Sequence, residues 1–159
     1  MTVNLINPQA PTNNDQINQV EGQLDVKLPV VYREFLLYSN GGRPEPDKME
    51  ITWSPNQNRC DHWRTSLVSR FLSIQDGGKA SFIEYNRDTF AGRIPADTVA
   101  IAYDAGGNLI LLGVGDDNNG KIYFWVKDYE VEEGETPGYD NIGFIANSLP
   151  EFLDSLTAD

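Results

Sequence analysis

Cysteine and histidine are almost absent: the 159 residues contain one of each, Cys60 and His62. A single cysteine rules out a disulfide within the chain and points to a reducing compartment, so a cytoplasmic protein is expected. One Cys and one His also exclude a Cys/His zinc site built by one chain. Bases are scarce. Twelve Lys and Arg face twenty-four Asp and Glu, a formal charge of -12. A nucleic-acid binder needs a basic surface against phosphate, so nucleic acid is not an expected ligand. A basic protein partner suits that sign, and so does solubility. No apolar run approaches the ~18 residues of a membrane span. The opening MTVNLINPQAPTNN lacks the basic segment and apolar core of a signal peptide. Neither GxGxxG nor GxxxxGK[ST] occurs, so no phosphate-cradling loop is indicated.

What is present is an ordinary globular composition, 40% hydrophobic and 23% charged. The length suits one domain able to bury roughly two thirds of its unfolded surface. Residues 1–11, with Pro8 and Pro11, read as an irregular arm before a single domain at 12–159. Ile17, Val20 and Leu24 recur at helical spacing, predicting a helix over 13–24 capped by Thr12 with Asp15 or by Asn13 with Gln16. Gly22 weakens it by about 1 kcal/mol relative to alanine. Pro29 opens a second helix with Val31, Tyr32, Phe35 and Leu36 as its buried face and Asn40-Gly41-Gly42 as a left-handed cap.

Met49–Trp53 alternates as a short strand, and 54–66 is a long polar loop. Leu67–Ile74 reads as strand, with helix as the alternative, and Ser81–Phe90 has near-helical spacing ended by Pro95. The period then becomes two. Val99–Tyr103, Leu109–Val114 and Ile122–Val126 form a meander whose turns are rich in Gly, Asn and Asp. Ser148 with Glu151 makes a capping box for a last helix bearing Phe152, Leu153 and Leu156. A helix pair and a C-terminal helix around a largely antiparallel sheet give an α+β domain.

Charge is uneven along the chain. Residues 1–97 hold twelve acids and ten bases, whereas 98–159 hold twelve acids and two bases, Lys121 and Lys127. The acids crowd between Asp116 and Asp140: Asp116, Asp117, Asp128, Glu130, Glu132, Glu133, Glu135 and Asp140. One reading is a solvated loop, the other an electrostatic docking surface. Asp116–Gly120 lacks the alternating oxygen ligands and distal Glu of a calcium loop, and reads as a hairpin turn. Cys60-Asp61-His62 has no third group to orient a base, so no catalytic role is assigned to it. No residue is assigned to catalysis, metal or cofactor. Trp125 belongs to the core or the sheet face, while Trp53 ends a strand and Trp63 sits in the polar loop, either as candidate interface anchors or buried by the loop folding back.

The stretch Leu28–Gly42, LPVVYREFLLYSNGG, preceded by Ile17, Glu21 and Leu24, resembles the signature of the SMI1/KNR4 (SUKH) superfamily. Phe71–Ile74, Ile94-Pro95 with Ile101–Asp104 and Gly107-Asn108, Gly120–Trp125 and Ile145–Leu156 resemble its later segments in order. The polar insert around Cys60–Thr65 and the acidic loop have no counterpart in that pattern. The resemblance implies an α+β fold without enzymatic activity. It also implies a bacterial immunity protein that binds and blocks a toxin, often a nuclease, or else a regulatory or scaffolding module with a non-toxin partner. A metal-assisted hydrolase using the acidic loop is the distant third reading. The expected partner is a basic toxin domain, with Asp116, Asp117, Glu130, Glu132, Glu133, Glu135, Trp53 and Trp63 as candidate contacts.

Overall fold

Asn13 caps the first helix, its side chain accepting from the Gln16 N–H at 2.9 Å, and α1 runs Asn14–Leu24 in the computed structural model, which describes residues 3–159. Ile17 and Val20 are buried and Leu24 half-buried, as the three-four spacing requires. After a short connection Pro29 introduces α2, Val30–Tyr38. Glu21 joins the two helices. Its carboxylate accepts from the Leu28 N–H at 2.7 Å and from Arg33 at 2.7 Å, and Arg33 also donates to Asn14 and Asn18.

Two expectations about α2 need correcting. Val31 lies on the solvent side, and Tyr32, Phe35 and Leu36 alone make the buried face. The Asn-Gly-Gly run is not the helix cap, because α2 ends at Ser39, in extended backbone, whose N–H reaches Phe35. Gly41 does take a positive φ of 81°, but for close approach: a Cβ there would lie 2.9 Å from the Ser73 Cβ and 3.0 Å from the Phe71 carbonyl. Asn40 is buried and stitches three segments. Its amide donates to the Ala10 and Ile74 carbonyls and accepts from the Ile74 N–H at 2.7 Å.

The main sheet is a five-stranded antiparallel meander: β5 (Arg70–Phe71), β6 (Thr98–Tyr103), β7 (Leu109–Gly113), β8 (Ile122–Trp125) and β9 (Ile142–Ala146). The three expected meander strands are its centre. Nearly every residue of β6 and β7 is buried, because both faces are covered. Phe71 meets Phe35 of α2 at 5.0 Å between ring centroids and Phe152 of α3 (Leu149–Ser155) at 6.2 Å. Trp125 meets Phe90 at 5.6 Å. The predicted segment at 81–90 is helical but wound as a π-helix over Glu84–Thr89, from which Asn86 pairs with both backbone groups of Ala100 where β6 bulges against β7.

Both edges of the meander are occupied by the N-terminal half, which removes the exposed backbone that edge strands otherwise present. On one side β1 (Asn4–Ile6) pairs with β2 (Arg43–Glu45), and Gly42 continues that ribbon onto Phe71 of β5. Residues 1 and 2 of the expected irregular arm lie outside the described residues. Residues 4–6 are strand rather than irregular, since Leu5 and Ile6 pack over Gly42. On the other side β3 (Lys48–Glu50) pairs with β4 (Thr65–Leu67), and Thr52 bridges to Phe144 of β9. The expected strand at 67–74 is thus split between β4 and β5. β9, IGFIA, was not anticipated: Ile145 sits in this strand, and the final helix begins only at Leu149, with Ser148 accepting from the Glu151 N–H at 3.2 Å.

Candidate interaction surface

The polar insert and the acidic segment, far apart in sequence, are held together in space. Ser54 and Gln57 form a reciprocal cap on the turn Pro55–Gln57. The Gln57 amide then donates to the Tyr139 carbonyl at 2.9 Å and the Ile142 carbonyl at 2.6 Å. Trp53 donates its indole N–H to the Trp63 carbonyl at 2.9 Å, spanning the insert from within. Gly143 of β9 leaves room for that indole, since a Cβ there would fall 3.0 Å from the Trp53 ring. Trp63 meets Tyr129 edge-on at 5.9 Å, and the Arg59 guanidinium lies over the same Tyr129 ring at 4.6 Å. The two tryptophans are therefore half-buried splints of the surface, not freely protruding anchors.

The acidic segment is an ordered loop closed at its base by Asn141, whose backbone and side chain both bond Val126. It carries two further ties. Glu130, expected as a docking acid, is engaged by Arg93 through both carboxylate oxygens at 3.0 and 2.9 Å, and the pair is only part-exposed. That pairing raises the Arg93 pKa. At the far end the Tyr139 hydroxyl donates to Asp97 at 2.8 Å and accepts from Asn118 at 2.9 Å. Burial first, then the Asp97 carboxylate, push the Tyr139 phenol above its ordinary value.

Asn118 also accepts from the Gly115 N–H at 2.8 Å, so it fixes the turn that carries Asp116 and Asp117. Tyr139 and Asn118 thereby tie this turn to the acidic loop. Glu132, Glu133, Glu135, Asp116, Asp117, Asp128 and Asp140 are all exposed. Glu132 and Glu135 shape the loop tip, the Glu135 carboxylate accepting from the Glu132 N–H at 3.0 Å. Asp97 was not among the sequence candidates. Its only signal was a carboxylate after Pro95-Ala96, which nothing in the chain separates from any other surface acid.

Nothing in this arrangement builds a reactive centre around Cys60. The thiol is buried, and burial raises its pKa against the opposing pull of Arg59, so it stays protonated at neutral pH and is a poor nucleophile. The His62 ring lies 3.7 Å from that of Trp63, tilted to it by 39°. Among the described residues no group of three or more His, Cys, Asp or Glu is placed to hold a metal ion. No described helix is long and apolar enough to cross a membrane.

Comparison with known proteins bears on the same chain. A sequence profile described as the SMI1 / KNR4 family (SUKH-1) matches residues 11–155. The chain is also similar to the SPbeta prophage-derived uncharacterized protein YokK of Bacillus subtilis (strain 168). The two are 29% identical over 152 residues, an alignment covering 90% of this chain and 73% of the relative.

Proposed function

The chain belongs to the SMI1/KNR4 (SUKH-1) family, and we propose that it is a cytoplasmic, non-enzymatic immunity protein that binds a basic toxin domain and blocks it. The observation that carries this reading is the tying of the acidic loop to the polar insert through Gln57, Trp63 and Tyr129. Neither segment has a counterpart in the sequence pattern that the chain resembles, which makes the two together the candidate place for recognising a particular partner. Held in place, exposed carboxylates retain their attraction without the entropy cost of ordering a loose loop on binding. A nuclease is basic around its substrate groove, and an acidic surface fits over such a groove and speeds the encounter.

The test is protection. If a toxin domain is encoded in the gene next door, cells producing it should survive when this chain is co-expressed. Survival should fall when Glu132, Glu133 and Glu135 are reversed to lysine. Cys60→Ala and His62→Ala should protect as well as the parent chain. Loss of protection in either of those two variants, with the protein folded and soluble, would put chemistry back into the loop and overturn the binding-only reading.

A further inference from the structure

α2 is apolar on the side turned away from the core as well as on the side buried in it. Val30, Val31, Leu37 and Tyr38 are 68, 45, 40 and 66% exposed, large values for four such side chains on one nine-residue helix. Exposed apolar side chains gathered on one helix face mark an interaction site, here with Glu34 set among them. Beside this face lies a groove of about 430 Å³ between α2 and α3, floored by Phe35, Leu149 and Leu153 and walled by Val31, Tyr38 and Pro150. The charged residues lining it are both carboxylates, Glu34 and Asp154. Arg33, the one base of α2, is turned away into its bonds with Glu21, Asn14 and Asn18.

We propose that this groove docks a basic amphipathic helix of a protein partner. Its apolar side chains, spaced i, i+3/i+4, i+7, would fill the channel between the two helices, with Lys or Arg beside Glu34 and Asp154. A second copy of this chain is the wrong occupant. Pairing the face with itself brings Glu34 and Asp154 of both copies into one apolar interface, between molecules of charge -12 each, and like charges so placed are repulsive. An anionic membrane is disfavoured by the same carboxylates. The inference is separate from the toxin reading and concerns a different face of the molecule.

The experiment titrates the isotopically labelled full chain with two leucine-lysine peptides of about 18 residues and equal composition. One has leucines at i, i+3, i+4 and i+7, and its isomer has them scattered. The amphipathic peptide should bind at least about ten-fold more tightly, with amide shifts centred on Val31, Tyr38 and Leu153. Tyr38→Glu and, separately, Val31→Asp should each abolish that preference, and both positions are exposed enough to be changed without unfolding the chain. Glu34→Lys should weaken the amphipathic peptide while leaving α2 intact by circular dichroism. Equal affinity for both peptides, or shifts confined to residues 130–135, would reduce the binding to bulk charge and overturn the proposal. So would a concentration-dependent dimer in light scattering that Tyr38→Glu dissociates, since a second copy would then be the occupant.

Discussion

The Tyr32 ring is packed at 6.1 Å from Phe82 and 6.4 Å from Phe35, and its hydroxyl is buried with no hydrogen-bond partner among the described residues. An unsatisfied buried hydroxyl costs about 1–3 kcal/mol, so Tyr32→Phe should raise stability by about 1 kcal/mol, read from denaturant midpoints. The substitution also has a pH signature. Burial raises the Tyr32 phenol above its ordinary 10.0, whereas the unfolded chain ionises it near that value. Its contribution is therefore whole below pH 10 and is lost as pH rises above it, so the phenylalanine variant should decline less steeply on the alkaline side. Asn40 and Gly41 show what a sequence motif does and does not disclose. The Asn-Gly-Gly run announces a backbone break and a positive φ. It does not disclose that Asn40 reaches Ala10 and Ile74, or that Gly41 lies against Ser73, since those partners arrive only through tertiary folding. Gly41→Val, and equally Gly41→Ala, should destabilise by more than about 1 kcal/mol, with calorimetry as the check.

At the scale of elements, local signals carried most where the pattern was periodic or capped. Asn13 before α1, Ser148 and Glu151 at α3, and the short apolar runs of β6, β7 and β8 between Gly- and Asn-rich turns were legible because each depends on near neighbours. β1 and β9 were not. Three residues beside prolines, and a strand following an acidic loop, become strands by pairing with β2 and β8, which no local window contains. The candidate surface was legible as two suspicious segments, but not as one place. Gln57 looks like any polar loop residue until its amide is seen bonding Tyr139 and Ile142, and Glu130 looks like its acidic neighbours until Arg93 is found across from it. The pair Arg93–Glu130 is part-exposed, so its removal should cost less than about 1 kcal/mol of global stability. Its effect should be local. Arg93→Ala should speed proteolysis and amide exchange across residues 130–136 while the melting temperature moves little. Equal protection of that loop in both proteins would mean that Tyr139 and Asn141 alone hold it.

For the whole molecule, the account rests on charge acting at a distance from an ordered surface. Reversing Glu132, Glu133 and Glu135 to lysine adds two charges per site and takes the formal charge from -12 to -6. All three are exposed, so the fold should persist and self-repulsion should ease. The measurement that tests the central claim most directly is the association rate of this chain with a basic toxin domain against which it protects, followed by stopped flow across a salt series. Steering acts over the Debye length, which shrinks from about 30 Å at 0.01 M to about 10 Å at 0.1 M. The rate should therefore fall steeply as salt rises, and the triple reversal should lower it by roughly ten-fold or more at low salt while losing most of the salt dependence. A rate that is flat with salt and unchanged by the reversal would contradict the account, leaving the carboxylates to solubility and placing the contact elsewhere on the protein.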